Sequence, residues 1–372
     1  MRITERTVDS IVDNIDNMKR SDYIIGLNEI KADYNRDHSI EYLSGHFNGS
    51  VRPNKVSFAQ INQMLMPGLN QFAQQVLDRK LPDLYTNAFN RLSQRSDRSC
   101  MVRVMDNDDR TMRACLSHKY NRIDDDTVVG TIIDAIGDRS EFSDKFKSIG
   151  GNITETRTFL KFITREPVFT IHADGRDRNF SAGLIFSNSE TGHGTCQVQV
   201  LMIDRYCDNG CIFSSTGVGT FRLVHSGLDM SAKNKVGLLD RPFMNNVKLT
   251  RLRDNIKNIL DCACNKDTFT KYQAIIQDTS GYTIDSDDDS RVRKWVDVIG
   301  REYDLTETER NAVSVRLLET GDTSLFGIQA ALTDAAKYAK DYDRKIEMEQ
   351  IGGSILTNIP NRWETIRKMV NV

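Results

Sequence analysis

The sequence predicts an α+β protein with an antiparallel sheet core flanked by helices and a mostly helical C-terminal region. Three observations predict it. Apolar residues alternate with a period of two from Ser99 to about His225; helical spacing with cap residues takes over beyond residue 245; and the first 75 residues mix helical patterns with a polar connecting stretch. A chain of 372 residues with 39% hydrophobic residues buries a sizeable core and suggests two or three units. They are read as an accessory helical and irregular region (1–75), an antiparallel α+β core (76–245) and a helical C-terminal region (246–372).

In the first unit a helix is expected near residues 5–20. SFAQINQMLMPGLNQFAQQVLDRK has helical spacing, with Ser57 as its cap and Pro67 kinking or dividing it. LPDLYTNAFNRLSQR continues as a further short helix, and together these form a layer over the sheet that follows.

The sheet opens with SCMVRVMDNDDRTMRACLSHKY, residues 99–120. Cys100, Val102 and Val104 alternate with Met101, Arg103 and Met105, and Met112, Ala114 and Leu116 alternate with Thr111, Arg113 and Cys115. Opposed residues in an antiparallel pair share a face. A loop centred on Asp108 then places Arg103 opposite Arg113, with both apolar sets on the core side. Phe180 to Ser187 and Cys196 to Ile203 repeat the alternation as a half-buried pair joined through SETGHG. Asn209-Gly210 signals a tight turn, since both central positions of such a turn need positive φ, and Gly217 and Gly219 mark a bulge or bend.

Beyond residue 245, Thr306 followed by Glu309 fits a capping box opening a helix through Leu318. Thr323 or Ser324 caps one long helix through AALTDAAKYAKDYDRKIEMEQ, and Gly352 sits where a helix ends. There is no internal repeat and no low-complexity linker.

Lysine plus arginine (50) nearly balances aspartate plus glutamate (52), so any nucleic-acid site is a local patch. The first twenty residues contain no apolar run typical of a secretory signal, no segment approaches a membrane span, and seven cysteines read as reduced thiols, so a cytoplasmic location is expected. GVGT at 217–220 and GHGT at 192–195 lack the Gly-Lys-Ser/Thr that wraps phosphates, which argues against an ATP-driven activity. His193, Cys196, Cys207, Cys211 and His225 match no paired zinc framework, and Cys262-x-Cys264 faces two directions on a helix. DSDDDS at 285–290 has Ser290 and Val296 where a calcium loop needs glycine and glutamate, so it reads as a helix cap. No metal, cofactor or catalytic residue is expected, and His118 and His225 read as structural.

Arg103 and Arg113 remain. Like charges facing across a strand pair destabilise it by up to roughly 1 kcal/mol, so they call for a carboxylate or a bound anion. Lys119, Tyr120 and Arg122 follow in HKYNRIDDD and extend a cationic, aromatic surface of the kind that tracks phosphates and stacks bases. The competing reading is that Asp106, Asp108, Asp109 or the aspartates at 124–126 neutralise the arginines internally.

VRVMDNDDRTMRACLSHKYNRIDDDTV, then GLIFSNSETGHGTCQVQVLMIDRYCDNG, then SLFGIQAALTDAAKYAK together resemble the phage/plasmid-like family, a domain of unknown function numbered nine-three-two. The likeness spans about residues 90–345 and departs from the family pattern at Phe326 to Ala330. It implies a mobile-element origin and an antiparallel α+β core, and brings no settled activity. By analogy of fold, phage single-strand annealing proteins combine a curved antiparallel sheet with helices and need no ATP. The first expectation is therefore single-stranded DNA binding or annealing in replication or recombination through Arg103, Arg113, Lys119, Tyr120 and Arg122. The alternative is a host-interaction or anti-defence protein acting by protein binding. An enzyme would show itself by ionisable residues converging in a deep pocket. A second copy of the chain is a further candidate partner; a membrane is not.

Overall fold

The structure is a computed structural model and describes residues 3–47, 49–137, 144–173, 176–213, 221–223, 237–238, 250, 253–254, 266–284 and 288–371. The expected bend at Gly217 and Gly219, His225 and the Cys262/Cys264 pair lie outside these residues.

Helix α1 (Val8–Asp16) starts at Thr7, whose hydroxyl accepts from Ser10 N, and buries Ile11 and Ile15. The stretch expected to be a polar connection instead holds four strands, β1 (Arg20–Gly26), β2 (Lys31–Tyr34), β3 (Ile40–Leu43) and β4 (Ser50–Pro53). Each of the last three turns only one or two apolar side chains inward, Ala32, Ile40 with Tyr42, and Val51, too few for a period of two to register. Helices α2 (Lys55–Leu65), α3 (Leu69–Asp78) and α4 (Pro82–Ser93) follow, divided at Pro67 as the sequence suggests. The cap of α2 is Asn54, whose Oδ1 accepts from Ser57 N at 2.9 Å, while the Ser57 hydroxyl donates to Met112 O at 2.7 Å.

The hairpin forms as β5 (Ser99–Met105) and β6 (Thr111–Ser117), but Arg103 pairs with Ala114 and Val104 with Met112. Arg113 is thus the extra residue of a β-bulge. The bulge reverses parity along β6: Met112 joins Val102 and Val104 in the core against α2–α4, Cys115 replaces Ala114 there, and Ala114 and Leu116 move to the other face with Met101 and Ile24.

Beyond α5 (Asp125–Gly137) come β7 (Phe146–Ile153), β8 (Thr158–Thr164), β9 (Phe169–Ala173), β10 (Arg176–Asn188), β11 (Cys196–Asp204), β12 (Asn209–Phe213), β13 (Phe221–Leu223) and β14 (Gly237–Leu238). Two sheets result. The first runs β14-β1-β5-β6-β4-β3-β2 and is antiparallel except between β4 and β6. The second runs β12-β11-β10-β8-β7, with β9 on β10 and β13 on β11, and the fold includes a curled half-barrel sheet. Its central strands are buried on both faces. Leu160, Leu184 and Val200 point into one cluster, while Phe159, Ile185 and Leu201 point into another. The turn between β11 and β12 is also longer than expected: Asp204 pairs with Asn209, so the loop is residues 205–208, and the positive φ of 53° belongs to Asp208.

The C-terminal region is helical: α6 (Lys266–Thr279), α7 (Asp289–Glu302), α8 (Glu307–Thr320), α9 (Leu325–Ala336), α10 (Tyr342–Asn358) and α11 (Trp363–Val370). Asp288 caps α7, Thr306 and Glu309 form the capping box of α8, and Ser324 caps α9. The long helix expected from Ser324 onward is two, because the Asp341 side chain accepts from Arg344 N at 2.8 Å and starts α10 afresh. Gly352 is inside α10 and does not end it. Its neighbour Gly353 lets α10 lie on β12, since a Cβ there would come within 2.1 Å of Ile212 O. Trp295, Leu317 and Leu332 centre a core shared by the C-terminal helices.

Candidate functional site

The second face of β1, β5 and β6 lies against the loop at Ser189–Thr191 and the start of α5. Arg103, 3% exposed, aligns with Asp22 across β1 and β5. Its Nε is 3.1 Å from Asp22 Oδ1 and its Nη2 3.2 Å from Oδ2, while Nη2 also reaches Asp124 Oδ1 at 2.5 Å and Nη1 donates to Glu190 O at 3.1 Å. Arg122, 1% exposed, donates to Asp22 Oδ2 at 2.6 Å. Arg113 donates to Glu190 Oε2 at 2.7 Å, and Arg20 and Asp125 N both donate to Glu190 Oε1. The Tyr120 hydroxyl donates to Ser189 O at 2.9 Å.

Burial alone would raise the Asp22 and Glu190 carboxyl groups, but the surrounding guanidinium groups outweigh it and hold both below the usual carboxylate range. Asp125 goes the other way. Burial, with the negative charge of Glu190 beside it, pushes its carboxyl up to about 7, against hydrogen bonds from Asn188 and Thr158.

Of the five residues expected to hold a strand, only Lys119 is exposed. Arg103, Arg113 and Arg122 are neutralised inside the protein, by Asp22, Asp124 and Glu190, and Tyr120 is half-buried against Ser189. They form no surface for phosphates. Of the aspartates read as internal partners, Asp124 pairs with Arg103, while those at 106, 108 and 109 take no part in neutralising Arg103 and Arg113; the other partners, Asp22 and Glu190, are 81 and 77 residues away in the chain.

An open cleft of about 710 Å³ lies next to this network, between α2 and β6. Gln60 forms part of its floor. Its Oε1 accepts from Cys115 N at 2.9 Å and its Nε2 donates to Thr191 O at 2.7 Å, so one amide joins strand edge to loop. Gln63, Asn70, Ser117 and His193 add polar groups, Lys55 adds a cation, and Ala59, Met64 and Leu116 add apolar surface. Among the described residues, no aspartate or glutamate lines it. Asn70 Oδ1 is buried with no hydrogen-bond partner among the described residues.

A sequence signal for this cleft exists in composition. Between Glu41 and Asp78 the chain carries no acidic residue and is rich in asparagine and glutamine. Helical spacing marked the same stretch only as a covering layer.

No family model, curated protein or solved structure matches the chain. The resemblance to the phage/plasmid-like family therefore stands on the three quoted stretches alone. No described helix is long and apolar enough to cross a membrane.

Proposed function

We propose that the protein binds single-stranded nucleic acid, without ATP, in the cleft between α2 and β6. The observation that carries this reading is the chemistry of the cleft: open, lined by no carboxylate among the described residues, with apolar surface, a lysine and several amides. A polyanion meets no repulsion there, base faces have apolar surface to cover, and amides donate and accept toward phosphates or base edges without demanding one sequence. Lys119, exposed just beyond the end of β6, extends the cationic edge in the same region of the fold. A mobile-element origin and a role in annealing during replication or recombination, suggested by the family resemblance, belong to the same proposal.

The test is fluorescence anisotropy with labelled oligonucleotides across a salt series. Single strands bind at low salt, affinity falls steeply as salt rises, duplexes of the same length bind less tightly, and ATP changes nothing. Absence of single-strand binding by the wild-type protein at low salt overturns the reading.

A further inference from the structure

The second face of the sheet that contains β8 carries a charge cluster that the cleft does not use. Lys161 lies in the middle of β8 between the buried Phe159 and Ile163, and its side chain is 3% exposed. Its Nζ is 3.2 and 2.9 Å from the two oxygens of Glu349 on α10. A second carboxylate comes from the N-terminal segment. Glu5 Oε1 is 3.4 Å from Lys161 Nζ and 2.6 Å from Lys345 Nζ, and Glu5 Oε2 accepts from the Tyr342 hydroxyl. Beside the cluster is a cavity of about 400 Å³, walled by Ile3, Ile149, Ile163 and Ile203, within the range of small-molecule sites.

The source of the second carboxylate decides what the cavity is for. Lys161 has a dedicated partner in Glu349, supplied by a packed helix. Glu5 is supplied by a strap crossing the cavity, held by main-chain hydrogen bonds from Ile3 N to Lys337 O and between Arg6 and Gly151 in both directions. Two ammonium groups and a phenol thus converge on one carboxylate brought in from outside the sheet and helices. With the strap displaced, Lys161 and Lys345 face a single carboxylate, Glu349, and the cluster has a surplus positive charge in a site where burial strengthens its pull on an anion. Lys337 and Asp208, also in the lining, are opposite in sign and leave that surplus in place.

We propose that this cavity binds a small organic anion whose carboxylate or phosphate group is received by Lys345, Lys161 and Tyr342 in the place that Glu5 of the strap now fills. The isoleucine walls suit a short carbon skeleton. Glu5 is then an internal stand-in for the ligand, and the strap is the lid of the site.

The experiment is rescue of Glu5→Gln in the full chain. Removing the charge leaves two buried ammonium groups sharing one carboxylate, so the melting temperature falls. Glutarate at about 10 mM, or inorganic phosphate, compared with chloride at the same ionic strength, restores the loss, since a ligand that binds only the folded state stabilises it. Rescue by glutarate alone assigns a carboxylate ligand, and rescue by phosphate alone a phosphate ligand. Glu5→Gln/Lys345→Met is rescued by neither. No rescue of folded Glu5→Gln by either anion overturns the proposal. Should Glu5→Gln fail to fold, calorimetry on the wild type decides: heat of binding with glutarate or phosphate that vanishes in Lys345→Met supports the site, and no heat overturns it.

Discussion

Arg103 and Asp22 face each other across neighbouring antiparallel strands and are joined by two hydrogen bonds, of 3.1 and 3.2 Å, in a site from which water is excluded. Such a pair contributes little against a well-packed apolar alternative, but removing one member strands the other charge at a cost of about 3–5 kcal/mol. Arg103→Gln should therefore lower the urea midpoint markedly. Asp22→Asn should do at least as much, because it takes one carboxylate from both Arg103 and Arg122 at once. A wild-type unfolding curve in both variants would contradict the burial of this network.

Asp125 gives the network a pH dependence of definite sign. Its carboxyl is raised from about 3.8 to about 7 in the folded chain, so between those values the folded state holds the proton more tightly. The stability Asp125 contributes is therefore present at low pH and lost as pH rises through about 7. Asp22 and Glu190, held below the usual range, act oppositely: their stability is present above their ordinary values and lost on acidification. Asp125→Asn removes only the first effect. It should raise the melting temperature at pH 8 relative to wild type, with the advantage shrinking toward pH 5. A constant difference at all pH values would show that Asp125 is an ordinary carboxylate.

Gly353 tests the seating of α10 on the sheet. In an open helix, glycine to alanine stabilises by about 1 kcal/mol. Here the added carbon meets Ile212 O at 2.1 Å and Ile212 C at 2.8 Å, both main-chain atoms that cannot rotate away. Gly353→Ala should thus destabilise by roughly 1–3 kcal/mol, measured by denaturant unfolding. A gain in stability would mean that helix and strand are farther apart than described.

The starts of α8 and α9 were legible because a cap is local chemistry: Thr306 with Glu309, and Ser324, could be read within a few residues. The arginine face was legible only by half. Alternation assumes an unbroken register, so the bulge at Arg113, which returns Cys115 to the core and turns Ala114 away, was invisible in the pattern. Asn209-Gly210 has the composition of a tight turn, yet pairing of Asp204 with Asn209 places both residues in the strand and gives the left-handed position to Asp208. Local preference yielded to sheet register there. The second face of β10 and β11 read as solvent-facing because α10, which covers it, lies more than a hundred residues downstream. Compensation of the arginines by carboxylates was among the readings, and Asp124 was within its range, but Asp22 and Glu190 are brought in by folding, and no spacing announces them.

That distinction separates two sets of variants, and it is the sharpest test of the cleft. Lys55 and Gln63 are exposed on α2 and line the cleft, so Lys55→Glu with Gln63→Glu puts two negative charges where the wild type has none. The fold should be unaffected, since surface substitutions away from buried features usually stay within about 0.5 kcal/mol. Strand binding should fall by at least an order of magnitude at low salt, with a shallower salt slope, because a cationic contact has been lost and two repulsive ones added. Arg113→Gln should show the reverse pattern: its guanidinium is committed to Glu190, so stability falls, and binding by whatever remains folded stays near wild type. Anisotropy titrations and denaturant curves on the same preparations measure both quantities. Loss of binding in Arg113→Gln at full stability, with binding intact in the α2 double variant, would return the strand to the hairpin and remove it from the cleft.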